Sequence, residues 1–296
     1  IDATKRVSGD NLYSSKGSFN MAYVSMMEGR LIFYLAAKVI PSWELIKNDD
    51  LTTFSDEDMS DVLARDNLYY KEAQSNAMYV AFKEAGIDYE IVNNNYYVIL
   101  KTDNNDSELK IGDELISYDD MNFNGIDEFK VYINSKEVGN KIKIKYLRET
   151  EEKETYSTIY QEEDNNLYLG LGFVNILDIK TDYNIEVASK NSESGPSGGL
   201  ITTLAIYNAI TKEDITHGRK IVGTGTISAD GTVGEIGSVT YKLAAAVKSH
   251  ADIFLCPKEN FEEALNYAEE KKYKILIKDI ETFDEAIKYL NTLEEN

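Results

Sequence analysis

The chain has 296 residues, 43% of them apolar, enough for two or three compact units with at least one sizeable core. Its 31 Lys and Arg face 52 Asp and Glu, and the resulting net charge of −21 speaks against a general role on nucleic acid or a membrane surface. A single cysteine, Cys256, excludes an intrachain disulfide and a multi-Cys zinc site.

The N-terminal region is polar and turn-rich, then gives strand-like runs in "MAYVSMM" and "RLIFYL". The longest apolar run, "LIFYLAAKVI", is about half of the ~20 residues a bilayer-spanning helix needs, so it reads as a strand or core helix. Ser55 and Asp58 have the spacing of a helix-capping pair, and a helix over "YYKEAQSNAMYVAFKEAG" is expected to stop at Gly86. Residues 87–160 change texture. "YYVILKT" and "KIKIKYLRET" read as strands, with "LKIGDELISYDD" and a short helix "GIDEFKVYINS" between them, which predicts a small β-rich module. The charge runs "ETEEKE" and "QEEDNN" read as solvated surface or linker. From residue 165 strand and helix alternate, in the pattern of an α/β layer structure. Strands are expected at "YNIEVAS", "KIVGTGTIS", "TVGEIG", "ADIFLCP" and "YKILIKD"; helices at "GGLITTLAIYNAI", "VTYKLAAAVKSH", "NFEEALNYAEEKK" and "TFDEAIKYLNTL". Three consecutive segments follow: 1–86, 87–160 and 161–296.

Gly195-Pro196-Ser197-Gly198-Gly199 fits the G-x-S-x-G pattern of an exposed reactive serine, and equally a flexible loop. A helix starting at Ser197 would aim unpaired N–H groups and a positive dipole end at a developing oxyanion. The hydroxyl needs a base. The two histidines read as surface or capping residues, His217 in a turn and His250 at a helix end. Lys242 falls at the edge of the apolar stripe Val239, Leu243, Ala246 and Val247, about 60° from Val239 on a helical wheel, while Lys248 points the other way. Burial there lowers an amine's pKa toward the range a base needs, and the plainer reading is a lysine with its head in water. Cys256, in "ADIFLCP", reads as a small buried hydrophobe.

From Ser194 to Ala246 the sequence resembles the proteolytic domain of the Lon protease family, through "GPSGG" and "TGTISADGTVGEIGSVTYKLAAA". Its look is that of the PDZ-containing, membrane-anchored Lon-like proteases of Gram-positive bacteria, in "LAIYNAITKEDITHGRKIVGTGTISADGTVGEIG", "ADIFLCPKEN" and "TFDEAIKYL". The resemblance implies an α/β fold in which a Lon-type proteolytic domain follows a small PDZ domain and an N-terminal strand and helix segment. It implies Ser197 as nucleophile and Lys242 as its base, Thr224 as the partner of the lysine, and the backbone of Gly195, Pro196 and Gly198 around the oxyanion. The implied activity is a serine endopeptidase without metal or cofactor, acting on extracytoplasmic peptides or unfolded proteins captured by the PDZ module. No G-x-x-x-x-G-K-[ST] phosphate loop occurs in the sequence, in keeping with action without ATP. An anchor before Ile1, a place on the extracellular face and a homo-oligomer complete the expectation. Ser194, Thr226 and Ser238 depart from residues common in the family.

Two other readings compete. One is an esterase of the α/β-hydrolase type in which Asp230 and His250 serve Ser197 in the order Ser…Asp…His. The other is a non-catalytic peptide-binding protein that keeps the fold alone.

Overall fold

The computed structural model describes residues 1–27, 29–40, 43–47, 51–52, 57–190 and 193–295. In chain order it forms strands β1 (Val7–Gly9) and β2 (Ser18–Met21), helices α1 (Leu31–Ala37) and α2 (Met59–Glu84), then β3 (Tyr89–Lys101), β4 (Glu114–Tyr118) and β5 (Met121–Asn122). Helix α3 (Ile126–Asn134) precedes β6 (Lys141–Arg148), β7 (Glu151–Thr158), β8 (Tyr160–Gln161), β9 (Leu167–Tyr168), β10 (Leu171–Thr181) and β11 (Ile185–Val187). The last third alternates: α4 (Gly199–Ile210), β12 (Lys220–Gly223), α5 (Val239–Lys248), β13 (Ile253–Pro257), α6 (Lys258–Lys271), β14 (Leu276–Ile280) and α7 (Phe283–Asn291).

These elements make two compact units, but not three consecutive segments. One gathers residues 1–45, 73–90 and 179–296; the other gathers 46–72 and 91–178. The first unit is α/β, with a parallel sheet in the order β14-β13-β12-β2. Strand β2, from the N-terminal stretch, thus pairs with β12, Phe19 lying opposite Ile221. Its central helix α4 is apolar and buried almost all round, as a helix inside a core must be. Its β-branched residues would also suit a strand, yet the Thr203 hydroxyl donates to Gly199 O at 2.8 Å, satisfying itself within the helix. Phe19, Phe82, Leu204, Phe283 and Leu290 share one core, so the three stretches are fused by packing.

The second unit is built on an antiparallel-rich sheet in the order β10-β3-β4-β6-β7. Its core is aromatic: Phe123 and Phe129 stack with ring centroids 5.1 Å apart, and Phe173 lies 5.4 Å from Phe123.

Several local expectations need correction. "RLIFYL" is largely helical, in α1, and only Met21 of "MAYVSMM" is in a strand. "TVGEIG" is not a strand; Thr232 makes only an isolated bridge to Thr282, and "KIVGTGTIS" stays a strand only to Gly223. The acidic run "ETEEKE" is exposed, as solvated surface should be, but it is mostly strand β7 and not a linker, because its partner β6 is the basic "KIKIKYLR": Lys145 faces Glu154, and Lys143 Nζ reaches the Glu154 carboxylate at 2.8 Å. Asp58 accepts from the N–H of Ser60 and Asp61 at the start of α2. Its expected partner Ser55 lies outside the described residues. Helix α2 ends at Glu84, and Gly86 follows with φ +67°, as a helix-terminating glycine should.

Candidate active site

Ser197 lies in a turn before α4, which begins at Gly199 with Gly198 as its N-cap, two residues later than the sequence suggested. The loop is shaped by glycine at two places. Gly195 has φ +79°, a conformation that side chains resist. Gly199 sits so close to the next layer that a Cβ there would stand 2.8 Å from the backbone N of Ile227. Among the described residues the N–H groups of Ser197 and Gly198 carry no hydrogen bond, which leaves two donors at the positive end of α4.

The segment after β12 holds this loop from behind. Gly225 N donates to Ser197 O at 2.8 Å, and Leu200 N donates to Gly225 O at 3.1 Å. The Thr224 hydroxyl adds a second bond to Ser197 O, at 3.0 Å, and Thr224 N is fixed on Leu255 O of β13. Thr224 is fully buried. With its proton committed to the serine carbonyl, its oxygen is free to accept.

What it accepts is Lys242. The Nζ atom donates to Thr224 Oγ1 at 3.2 Å, from a residue only 4% exposed. Val239, Leu243 and Ala246 of the same helix belong to the apolar cluster under α5, so the stripe edge read from the helical wheel is a buried position. Burial alone lowers the Lys242 pKa from its usual 10.5 to about 8. Lysine and serine thus meet through Thr224: two successive hydrogen bonds run from Nζ to the serine's main-chain oxygen. Among the described residues the Ser197 hydroxyl itself bonds to neither group.

Two buried asparagines hold these parts in place and were not singled out in the sequence. Asn260 of α6 clamps Ile236, accepting from its N–H at 2.9 Å and donating to its C=O at 3.0 Å, just before the lysine helix. Asn76 of α2 donates to Ile227 O at 3.1 Å. The available signal was an amide on the apolar side of a helix, which must find backbone partners when buried.

At Thr226 and Ser238, and at Glu193 beside Ser194, the local contacts are specific. Glu193 forms a two-pronged pair with Arg6, at 2.7 and 2.6 Å, which holds its carboxyl below the usual range and ties the serine loop to the N-terminal stretch. Thr226 accepts Gly234 N through its hydroxyl at 3.0 Å. Ser238, the N-cap of α5, sits at φ +60°. A left-handed serine is strained where glycine is not, so Ser238→Gly is expected to stabilise the protein by up to about 1 kcal/mol in denaturant unfolding.

Among the described residues neither histidine hydrogen-bonds to Ser197. Asp230 accepts Thr232 N in its own turn, and His250 follows α5 with φ +57°, without a hydrogen bond between the two. Cys256 is buried, and burial pushes its thiol up to about 12, away from nucleophilic use.

Residues 181–292 match the family model of the Lon protease (S16) C-terminal proteolytic domain. Ser197, Thr224 and Lys242 all lie within that matched stretch. The chain is 33% identical over 98 residues to the Lon protease of Metamycoplasma arthritidis, a span of 33% of this chain and 12% of that protein. With the Lon protease of Haemophilus influenzae it shares 31% identity over 109 residues, 36% of this chain and 13% of the other. The matched stretch is thus a small part of those relatives. Among solved structures, the PDZ domain of an SdrC-like protein from Listeria monocytogenes is 24% identical over 29% of this chain and 93% of its own, with a TM-score of 0.26. The PDZ domain of an SdrC-like protein from Listeria innocua is 29% identical over 22% of this chain and 74% of its own, with a TM-score of 0.21. No helix of the described residues is long and apolar enough to cross a membrane.

Proposed function

We propose that the chain is a serine endopeptidase that works without ATP, with Ser197 as nucleophile and Lys242 as its base. The observation that carries this reading is a buried lysine with a depressed pKa, bonded to a threonine that also grips the serine. An amine titrating at about 8 is neutral in about one molecule in ten at pH 7, against fewer than one in a thousand for a solvated lysine.

In the reaction the Ser197 hydroxyl turns to Nζ and gives up its proton as Oγ attacks the peptide carbonyl. The oxyanion is received by the free N–H groups of Ser197 and Gly198, with the Gly195–Pro196 turn shaping the loop. The lysine then returns the proton to the leaving amine, and water repeats the sequence on the acyl-enzyme. Thr224 keeps Nζ oriented without taking its lone pair, since the lysine is the donor in that bond.

Substrates under this reading are peptides or unfolded proteins. The second unit serves as a PDZ-like capture domain: β10 ends its sheet, and Leu171 and Phe173 pack with Ile126 and Phe129 of α3, so an extended peptide added to that edge lies beside α3. An anchored, extracellular chain and a homo-oligomer belong to the same reading and rest on the resemblance alone.

The test is cleavage of β-casein without nucleotide, together with labelling by a fluorophosphonate probe. Wild type and His250→Ala are expected to cut and to be labelled, and Ser197→Ala to do neither. Equal cleavage by Ser197→Ala would reject the assignment.

A further inference from the structure

The serine loop is gripped at two ends by different means. Downstream, Gly225 N and the Thr224 hydroxyl both donate to Ser197 O. Upstream the grip is Glu193. Its carboxylate accepts both arms of Arg6, at 2.7 and 2.6 Å, and the Lys190 N–H at 3.2 Å, while its own N–H donates to Lys190 O. Between the two grips the chain has little support. Among the described residues neither Ser194 nor Gly195 makes a hydrogen bond, and the space beside Gly195 is open. A glycine at φ +79° with no neighbour to lean on takes its direction from whatever holds the chain before it.

Arg6 is a firm post for that purpose. Its N–H donates to Ala3 O, its C=O accepts from Ala188 N, and β1 runs on from it into the pairing with β11. Ala3 in turn donates to Phe19 O and lies in the core of the first unit. The Arg6 and Glu193 side chains are only 14% and 17% exposed, so water and salt screen the pair weakly. Its two-pronged geometry fixes an angle as well as a distance.

We infer that Arg6 and Glu193 are positioning residues for Ser197. The pair sets the direction in which the chain enters the glycine turn, and with it the aim of the Ser197 hydroxyl and of the Ser197 and Gly198 N–H groups. The inference rests on the proteolytic reading and deepens it. Neither residue is catalytic; each acts through the loop. Aim matters because a displacement of about 1 Å can slow a reaction by about a hundredfold. Lys242 stands apart from this effect, since its bond is to Thr224 and its lowered pKa comes from burial alone.

The experiment compares wild type with Glu193→Gln, which keeps the size and an acceptor for Lys190 N but not the charge, and with the exchanged pair Arg6→Glu, Glu193→Arg. In Glu193→Gln, fluorophosphonate labelling of Ser197 and kcat on β-casein are expected to fall about tenfold or more. KM should stay within about twofold and the inflection near pH 8 should not move. The exchanged pair is expected to recover most of the labelling rate. Hydrogen exchange is read in a Ser197→Ala background, so it reports the loop even if the chain is no protease. It should quicken over residues 193–199 of Glu193→Gln and stay unchanged in α5. Labelling of Glu193→Gln at the wild-type rate would overturn the inference. So would faster exchange throughout the first unit, which marks a general loss of structure. Should wild type itself resist the probe, the proteolytic reading falls separately, and unchanged exchange over 193–199 would then be what overturns the role of the pair.

Discussion

Lys242→Met is expected to lower kcat on an unfolded protein by about 10³-fold or more, the usual scale of an acid–base contribution. Methionine fills nearly the same volume, so the apolar setting of α5 is kept and the loss reports the amine itself. The accompanying signature is the pH profile of wild type. Only the neutral amine accepts the serine proton, so kcat/KM should climb about tenfold per pH unit below about 8 and level off above it, following the lysine's lowered pKa. A profile inflecting near 6.5 would point instead to histidine. Residual cleavage near wild-type rates in Lys242→Met would remove the lysine from the chemistry.

The same substitution is expected to stabilise the protein at neutral pH. The folded-state pKa of Lys242, about 8, lies below the value of 10.5 the lysine has in the unfolded chain. Between those values the unfolded state holds more protons, so stability rises with pH across that window. Below pH 8 the protein carries a full penalty for a buried ammonium, about 3 kcal/mol for a shift of this size. Methionine removes that penalty and gives up the bond to Thr224, worth about 1 kcal/mol. At pH 7 the melting temperature of Lys242→Met should therefore exceed wild type by several degrees. The gap should shrink from pH 8 upward and close, or reverse slightly, by about pH 10.5. A lower melting temperature at pH 7 would mean that the ammonium is stabilised by something other than these contacts. Active and stable are opposed at this one position.

The serine loop and the lysine helix were legible because each is a local matter. Glycine spacing fixes the turn around Ser197, and a 3.6-residue stripe fixes which side of α5 faces the core. The link between them was less so, since the Thr224 bond to Ser197 O depends on β12 lying beside the loop, 27 residues away in sequence. Expected strands failed where glycine and loop bonding intervened, as in "TVGEIG", whose Gly234 N is taken by the Thr226 hydroxyl. The β7 strand was hidden by its charges and becomes plain only beside its oppositely charged partner β6. The division into units was the least legible feature. The strand read from "MAYVSMM" overlaps the real strand Ser18–Met21 only at Met21, and apolar patterning is silent on which sheet that strand joins.

That sheet has a consequence for synthesis. The strand Ser18–Met21 leaves the ribosome about 200 residues before the strand it must pair with, and the shared core needs Phe283 and Leu290 as well. Contacts so distant along the chain form late and slowly, whereas residues 91–178 hold most of what their own unit requires. Under the proposed function, a nascent chain therefore keeps Ser197 apart from its completed surroundings until translation is nearly finished, which delays self-digestion.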